Sequence, residues 1–330
     1  MLPYEYASLS LGIRAIILWI HRLRFVMMSA PYVIAALYEF KTVEQVQSVR
    51  SVLHQCCQSN GLKGTLLVAH EGLNGTVAGS RTGIDQLRKT LSQLNFNNLN
   101  YKESFSAHCP FLRLKVKLKQ EIVTLGEPKA KPSEIVGTYV EPKDWNALLN
   151  DPDVLVIDTR NQYETRIGQF KDAMIPKTQN FRDFPEYVRT QLKSHKKTKI
   201  AMYCTGGIRC EKASSFMLNE GFKTVYHLKG GILKYIEDTA SKNSLWEGDC
   251  FVFDERVAVD QHLKPSAYTQ CYGCREPLTP EEASHPVTVQ GVCCPYCHQK
   301  TSSVQKGRFA ERHKQIQLAR ARGKTHLAHE

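Results

Sequence analysis

The sequence predicts a multidomain chain of mixed class: an α+β domain, then an α/β domain with a parallel sheet, then a cysteine-rich lobe. Three observations carry this. Strand and helix signals run β-α-β-β-α-β, with one further strand, over residues 30–120. Strand–helix–strand alternation replaces that order over 141–242. Beyond about 243 the periodicity fades and two Cys-x-x-Cys pairs appear.

Taken in order, residues 1–29 form an N-terminal extension of uncertain structure. Its apolar stretch LGIRAIILWI (11–20) is too short to span a bilayer and is interrupted by Arg14. It is read as no membrane anchor; a membrane-surface helix is the alternative. Met27 and Met28 stand just before the first strand, so translation could also begin there. YVIAALYEF (32–40) is rich in β-branched and aromatic residues and predicts a strand. Val43, Val46, Val49, Val52 and Leu53 predict a helix over 42–58, with Thr42 as N-cap and Gln45 three residues on. Strands are expected at 63–70 and 74–79, joined by Glu71-Gly72-Leu73, then a helix at 81–94 and strands at 99–105 and 111–119. This order is ferredoxin-like. Pro128, Pro132 and Gly137 among charged residues mark 121–140 as a linker. Strands are then expected at 154–158, 199–203 and 223–228, with a helix at 210–220 stopped by Gly221. Residues 243–305 are the cysteine-rich lobe. Residues 306–330, with seven Lys/Arg against two Glu, form a basic arm, helical or disordered.

The net charge of +12 points to an anionic partner, nucleic acid first among them, or to solubility alone. Eleven cysteines, an odd count, fit a reducing compartment, the cytoplasm, better than a disulfide scaffold.

The sharpest chemical signal is Cys204-Thr205-Gly206-Gly207-Ile208-Arg209, set between an apolar strand and a helix. Backbone N–H groups converge there, at the positive end of a helix dipole. Together with Arg209 they favour thiolate over thiol. Thr205, Gly206, Gly207 and Ile208 form the cradle, and the glycines let it curl tightly. Four residues lie between Cys204 and Arg209, whereas cysteine phosphatases typically have five. The smaller ring suits a sulfane sulfur on Cys204. Cys210 either resolves such a persulfide or simply packs on its helix.

VLVIDTR (154–160), YCTGGIRCEKAS (203–214) and HLKGGI (227–232) resemble the rhodanese domain. With EGLNGT (71–76), FVFDERV (251–257) and the two Cys-x-x-Cys pairs, the chain is similar over about 30–300 to the bacterial rhodanese-type tRNA uridine hydroxylases. The resemblance implies an oxidoreductase that forms 5-hydroxyuridine at the wobble position, 34, in the tRNA anticodon loop, with O₂ as co-substrate. It makes Cys204 the catalytic cysteine and Arg209 the loop-closing arginine. Asp158 and Arg160 are read as structural. No GxGxxG fingerprint and no two-His-one-carboxylate set is evident in the sequence, so the electron donor stays open. A sulfurtransferase passing sulfur from Cys204 to a thiol or carrier uses the same loop and is the alternative; a non-catalytic RNA-binding protein would not need it. No obligate protein partner is inferred.

Cys271-x-x-Cys274 and Cys294-x-x-Cys297, nineteen residues apart, have the spacing of a structural zinc site. In FLRLKVKLK (111–119), Arg113, Lys115, Lys117 and Lys119 alternate with apolar residues. A strand would place these cations on one face, about 7 Å apart. That row either meets a phosphate backbone or is an ordinary solvated edge.

Overall fold

The computed structural model describes residues 31–322. The expectations for the N-terminal extension fall on 1–30, outside the described residues, as do 323–330 of the basic arm. Among the described residues, no helix is long and apolar enough to cross a membrane.

The first domain is a five-stranded sheet under two helices. Its elements are β1 (Tyr32–Phe40), α1 (Val46–Ser59), β2 (Lys63–Ala69), β3 (Gly72–Gly79), α2 (Arg81–Gln93), β4 (Asn100–Ser106) and β5 (Leu114–Leu118). The strand order is β4-β1-β3-β2-β5, antiparallel except that β5 runs parallel to β2 at the edge. This is the ferredoxin-like order with the extra strand added outside. Alternation decides which residues face the helices: Val33, Ala35 and Leu37 of β1 meet Val46, Val49 and Leu53 of α1 and Ile84, Leu87 and Leu91 of α2. Ser80 caps α2, accepting from the Gly83 N–H at 3.1 Å.

Three local expectations change. The first helix is capped at Gln45, not Thr42, because the Lys41 and Val43 N–H groups are spent on Glu71 and His70 of the neighbouring strand turn. Gly72 and Leu73 belong to β3, leaving His70-Glu71 as the turn. The last strand is Leu114–Leu118, not 111–119, and only Leu114 and Val116 reach the core. Leu112 and Leu118 are each 43% exposed, because an edge strand has no helix over its ends.

The second domain is a parallel four-stranded sheet, order β6-β10-β9-β7, built from β6 (Thr138–Val140), α3 (Pro142–Leu149), β7 (Val154–Asp158), α4 (Gln162–Thr165), β8 (Gly168–Phe170), α5 (Phe184–Gln191), β9 (Lys199–Tyr203), α6 (Ile208–Asn219), β10 (Thr224–Leu228) and α7 (Gly231–Asp238). The 121–140 stretch is not a free linker. Leu125 and Ala130 are buried in this domain's core, and Thr138–Val140 pairs as β6 with β10. The chain after 243 also continues this core before the lobe begins. β11 (Trp246–Gly248) pairs with β8, and β12 (Cys250–Phe251) pairs with β13 (Ala258–Val259). Trp246, Cys250, Val252 and Val259 pack with Tyr203, Phe170 and Tyr235.

The cysteine-rich lobe has its own small core around Cys271, Leu278, Val292 and Cys294. It contains the short pair β14 (Thr269–Gln270) and β15 (Pro277–Leu278) and the turn of helix α8 (Pro280–Ala283). The basic arm begins as a helix, α9 (Ser303–Ala321), held to the lobe by Phe309 and by Arg312 donating to Tyr272 O at 2.7 Å.

Candidate active site

Cys204 stands at the carboxyl end of β9, where open parallel sheets collect their functional groups. Its loop leads into α6, which starts two residues earlier than the sequence pattern suggests. The Gly207 N–H donates to Cys204 Sγ at 3.1 Å. Gly207 has φ +102°, and a Cβ there would lie 2.9 Å from the Tyr38 hydroxyl, so only glycine closes this turn. Burial works against ionising Cys204. The Cys210 thiol, the Arg209 charge and the Cys210 and Gly207 N–H groups outweigh it, bringing the thiol down to about 5. Burial and the Cys204 charge push Cys210 well above the ordinary thiol range, so the two sulfurs share one negative charge, held on Cys204. Cys210 also lies 3.4 Å from Thr159 Oγ1.

Arg209, expected to close the loop, is paired with Glu164 of α4, a residue outside the expected site. Its two terminal nitrogens donate to the Glu164 carboxylate at 2.6 and 2.7 Å, a bidentate fork with Glu164 fully buried. Thr205 Oγ1 lies 3.4 Å from both groups. Glu164 is positioned by a capping box at the start of α4, where its side chain accepts from the Asn161 N–H at 3.1 Å. The signal was present as Asn-x-x-Glu just after VLVIDTR. Asp158 and Arg160 form a wholly buried pair at 2.7 Å, and Arg160 also donates to Gly168 O at 2.6 Å. They brace the end of β7, in keeping with their structural reading.

The glycine pair of HLKGGI sits directly behind the loop. Gly231 has φ +67°, and a Cβ there would come within 2.4 Å of Cys204 O. The Ile232 N–H donates to that same oxygen at 3.0 Å.

The other motifs gather around this loop. The Lys212 ammonium, buried on α6, contacts Glu71 and pairs with Glu121 at 3.0 Å. Glu71 also accepts from the Ile122 N–H at 2.7 Å, and Asn74 donates to Ile122 O at 2.8 Å. EGLNGT is therefore a latch that fixes the first sheet to CTGGIRCEK. Tyr38 donates to Glu211 at 2.7 Å, across the same boundary. Burial lifts Glu211 to about 7, against hydrogen bonds from Tyr38 and Tyr139. FVFDERV adds Arg256, which reaches Ser104 of β4 at 3.2 Å, and Phe253, 63% exposed, with its ring centroid 5.8 Å from the Arg209 guanidinium.

The four cysteines of the lobe converge. Their sulfurs all lie within 4.8 Å of one another, and this set can hold a metal ion. All eleven cysteines of the chain are free thiols. Arg166, just after α4, braces the lobe, pairing with Glu282 at 3.0 Å and stacking 4.1 Å over Tyr296. Of the cationic row, Lys115 and Lys117 are on β5, and Arg113 and Lys119 flank it, outside the strand. Lys115 is half-buried. Burial and the charges of Arg113, Lys117 and the lobe's Arg275 lower its pKa, which places Arg275 beside the row.

Residues 32–122 match the family model described as the UPF0176 acylphosphatase like domain, and residues 141–238 match the rhodanese-like domain. A protein of Agrobacterium fabrum named tRNA uridine(34) hydroxylase is 53% identical over 300 residues, covering 91% of this chain and 96% of that one. A Rhizobium leguminosarum protein of the same name is 51% identical over 300 residues, 91% of this chain and 97% of its own. A Sinorhizobium medicae protein, again so named, is 54% identical over 297 residues, 90% and 94% of the two chains. Matches this long take in the first sheet, the Cys204 loop and the stretch that follows it, so the chain belongs to the tRNA uridine(34) hydroxylase family.

Proposed function

We propose that this enzyme hydroxylates the wobble uridine of tRNA at C5, with O₂ as the oxygen source and Cys204 as its reactive thiolate. The observation that carries the reading is the Cys204 loop: a buried sulfur held as an anion by N–H donors and closed by the Arg209–Glu164 fork, in a chain of this family. Such a cradle also stabilises a persulfide, since the added sulfur carries the same single charge toward the same donors. A tRNA substrate and eleven free thiols are in keeping with a cytoplasmic enzyme. The test is mass spectrometry of tRNA nucleosides from cells with and without the gene. 5-Hydroxyuridine must fall on deletion and return with the wild-type gene; an unchanged level removes the reading.

A wobble uridine sits in a single-stranded loop, where its base can be splayed out, so the enzyme needs phosphate contacts some distance from the reacting base. The sheet register supports a path for them. Lys102, Ala36, Thr76, Thr65 and Lys115 are successive cross-strand partners over all five strands, on the face opposite the helices. Four strand spacings put Lys115 about 19 Å from Lys102, beside Lys117, Arg113 and Arg275. Lys115→Glu combined with Lys117→Glu should weaken tRNA binding several-fold and flatten its dependence on salt, because fewer counterions are released. Affinity measured at several salt concentrations checks this. Equal slopes for the two proteins remove the β5 edge from the RNA path.

The four-cysteine lobe is proposed to hold one structural zinc. Three of its sulfur pairs, Cys271–Cys297, Cys274–Cys294 and Cys294–Cys297, are 3.9, 3.6 and 3.9 Å apart. A tetrahedron of 2.3 Å Zn–S bonds has edges of about 3.8 Å. Four thiolates leave no open position, so the ion would hold the fold of the lobe and take no part in chemistry. Metal analysis of protein purified under reducing, chelator-free conditions should give about one zinc per chain. Cys271→Ser should lower that content and unfold the lobe first, while Cys204 keeps its alkylation behaviour. Metal-free protein with an intact lobe would refute the site.

A further inference from the structure

The cations nearest Cys204 are each already paired with a carboxylate. Arg209 is the loop's only arginine, and its charge is matched by the bidentate Glu164 carboxylate. Arg160 is matched by Asp158, and Lys212 by Glu71 and Glu121. Glu211, on the first turn of α6, brings a further acidic group toward the sulfur. A further positive charge beside the sulfur would hold its anion more firmly against burial.

Lys102 is placed to supply it. This residue projects from β4 of the first domain, directly opposite Ala36, on the sheet face that carries Tyr38. Its ammonium donates to Gly230 O, at the turn whose next residue packs on Cys204 O. Resting on Cys204 as the reactive thiolate, we infer that Lys102 is a positioning residue of the active site: its charge, brought from the neighbouring domain, holds the Cys204 sulfur in its anionic form. The sulfur chemistry of the second domain thereby depends on the docking of the first. The latch of Glu71, Asn74 and Lys212 fixes that docking on the same sheet.

The groups facing both partners fit this assignment. Cys204 is faced by Cys210, Arg209 and Glu211 from α6 and by Tyr38 from β1. Lys102 is faced by Lys234 and Glu237 from α7 and by Cys250 from β12. Burial lowers Lys102 to about 8 while the Cys204 charge pulls the other way, so at neutral pH the ammonium is the main form.

The test is the pH dependence of Cys204 alkylation by iodoacetamide, read by mass spectrometry on the full chain, for wild type, Lys102→Met and Lys102→Arg. Wild type should titrate well below about 8.5, the free-thiol value. Lys102→Met should raise the apparent pKa by about one unit, the lower end of what a neighbouring opposite charge is worth. Alkylation well below the pKa then slows about tenfold, and the plateau rate at high pH stays the same. Lys102→Arg should restore most of the wild-type profile, which a role in packing alone would not do. A Lys102→Met curve that overlies that of wild type overturns the inference, as does a shift in which Lys102→Arg behaves like Lys102→Met. A wild-type thiol that titrates near 8.5 is a different result, because it removes the thiolate reading on which the inference rests.

Discussion

Cys204→Ala is expected to remove 5-hydroxyuridine from tRNA while leaving the protein folded. The side chain is buried at the end of β9, but it is small, and its deletion costs only the transfer and cavity terms of one sulfur, about 1–2 kcal/mol. The loop does not depend on it. Arg209 remains forked on Glu164, and Ile232 and Leu233 still donate to the Cys204 and Thr205 carbonyls at 3.0 and 3.2 Å. What disappears is the sulfur that the Gly207 N–H and Arg209 together hold as a reactive anion. The loss of activity should therefore be on the order of 10³-fold or more, as for other essential nucleophiles. Cys204→Ser should be equally inactive, since a hydroxyl does not ionise near neutral pH. Complementation of the deleted gene, followed by nucleoside mass spectrometry and a thermal melt of each purified variant, checks both halves. Normal 5-hydroxyuridine with Cys204→Ala would overturn the assignment and leave the sulfurtransferase reading of this loop in front.

The loop was legible because its chemistry is local: five residues after Cys204 contain both the cradle and its closing arginine. The element types of the first domain were legible for a similar reason, since the β-branched and aromatic content of β1 and the 3–4 spacing in α1 are read residue by residue. The boundaries were not. Residues 121–140 carry loop composition, yet Leu125 and Ala130 enter the second core, because a hydrophobic residue without periodicity gives no sign of which core it joins. Trp246, Cys250 and Val252 were assigned to the lobe by their nearness to the cysteines, but their partners Tyr203 and Phe170 lie 40 residues or more upstream. The same limit hid Lys102 and Glu164. Each reaches its partner only through folding, Lys102 the Gly230 turn across a domain boundary and Glu164 the loop's Arg209 from another helix. The EGLNGT and CTGGIRCEK motifs were recognised separately, and that Glu71 of one touches Lys212 of the other is a tertiary fact.

Glu164→Gln separates stability from reactivity at this site, and the two should move in opposite directions. The substitution keeps the shape of the side chain and one acceptor for the Asn161 N–H, but it removes the charge that neutralises Arg209. Both groups of the wild-type pair are buried, and an arginine cannot escape by losing its proton. Breaking such a pair from one side costs about 3–5 kcal/mol. Denaturant melts should show that loss near neutral pH. The pH dependence has a defined sign. Burial opposes ionisation of Glu164, but Arg209 more than compensates, so its folded pKa lies below the unfolded value of about 4.3. The stabilisation is therefore complete above that value and is lost as pH falls through the folded pKa, where the gap between wild type and Glu164→Gln should close. Reactivity runs the other way. Freed of its carboxylate, Arg209 presents more net positive charge to Cys204, so iodoacetamide alkylation of the variant should persist to lower pH than in wild type. A variant within about 1 kcal/mol of wild-type stability would mean that the fork is not the partner holding Arg209 in place. A Cys204 profile shifted to higher pH would mean that Glu164 acts by orienting Arg209 toward the sulfur and not by balancing its charge.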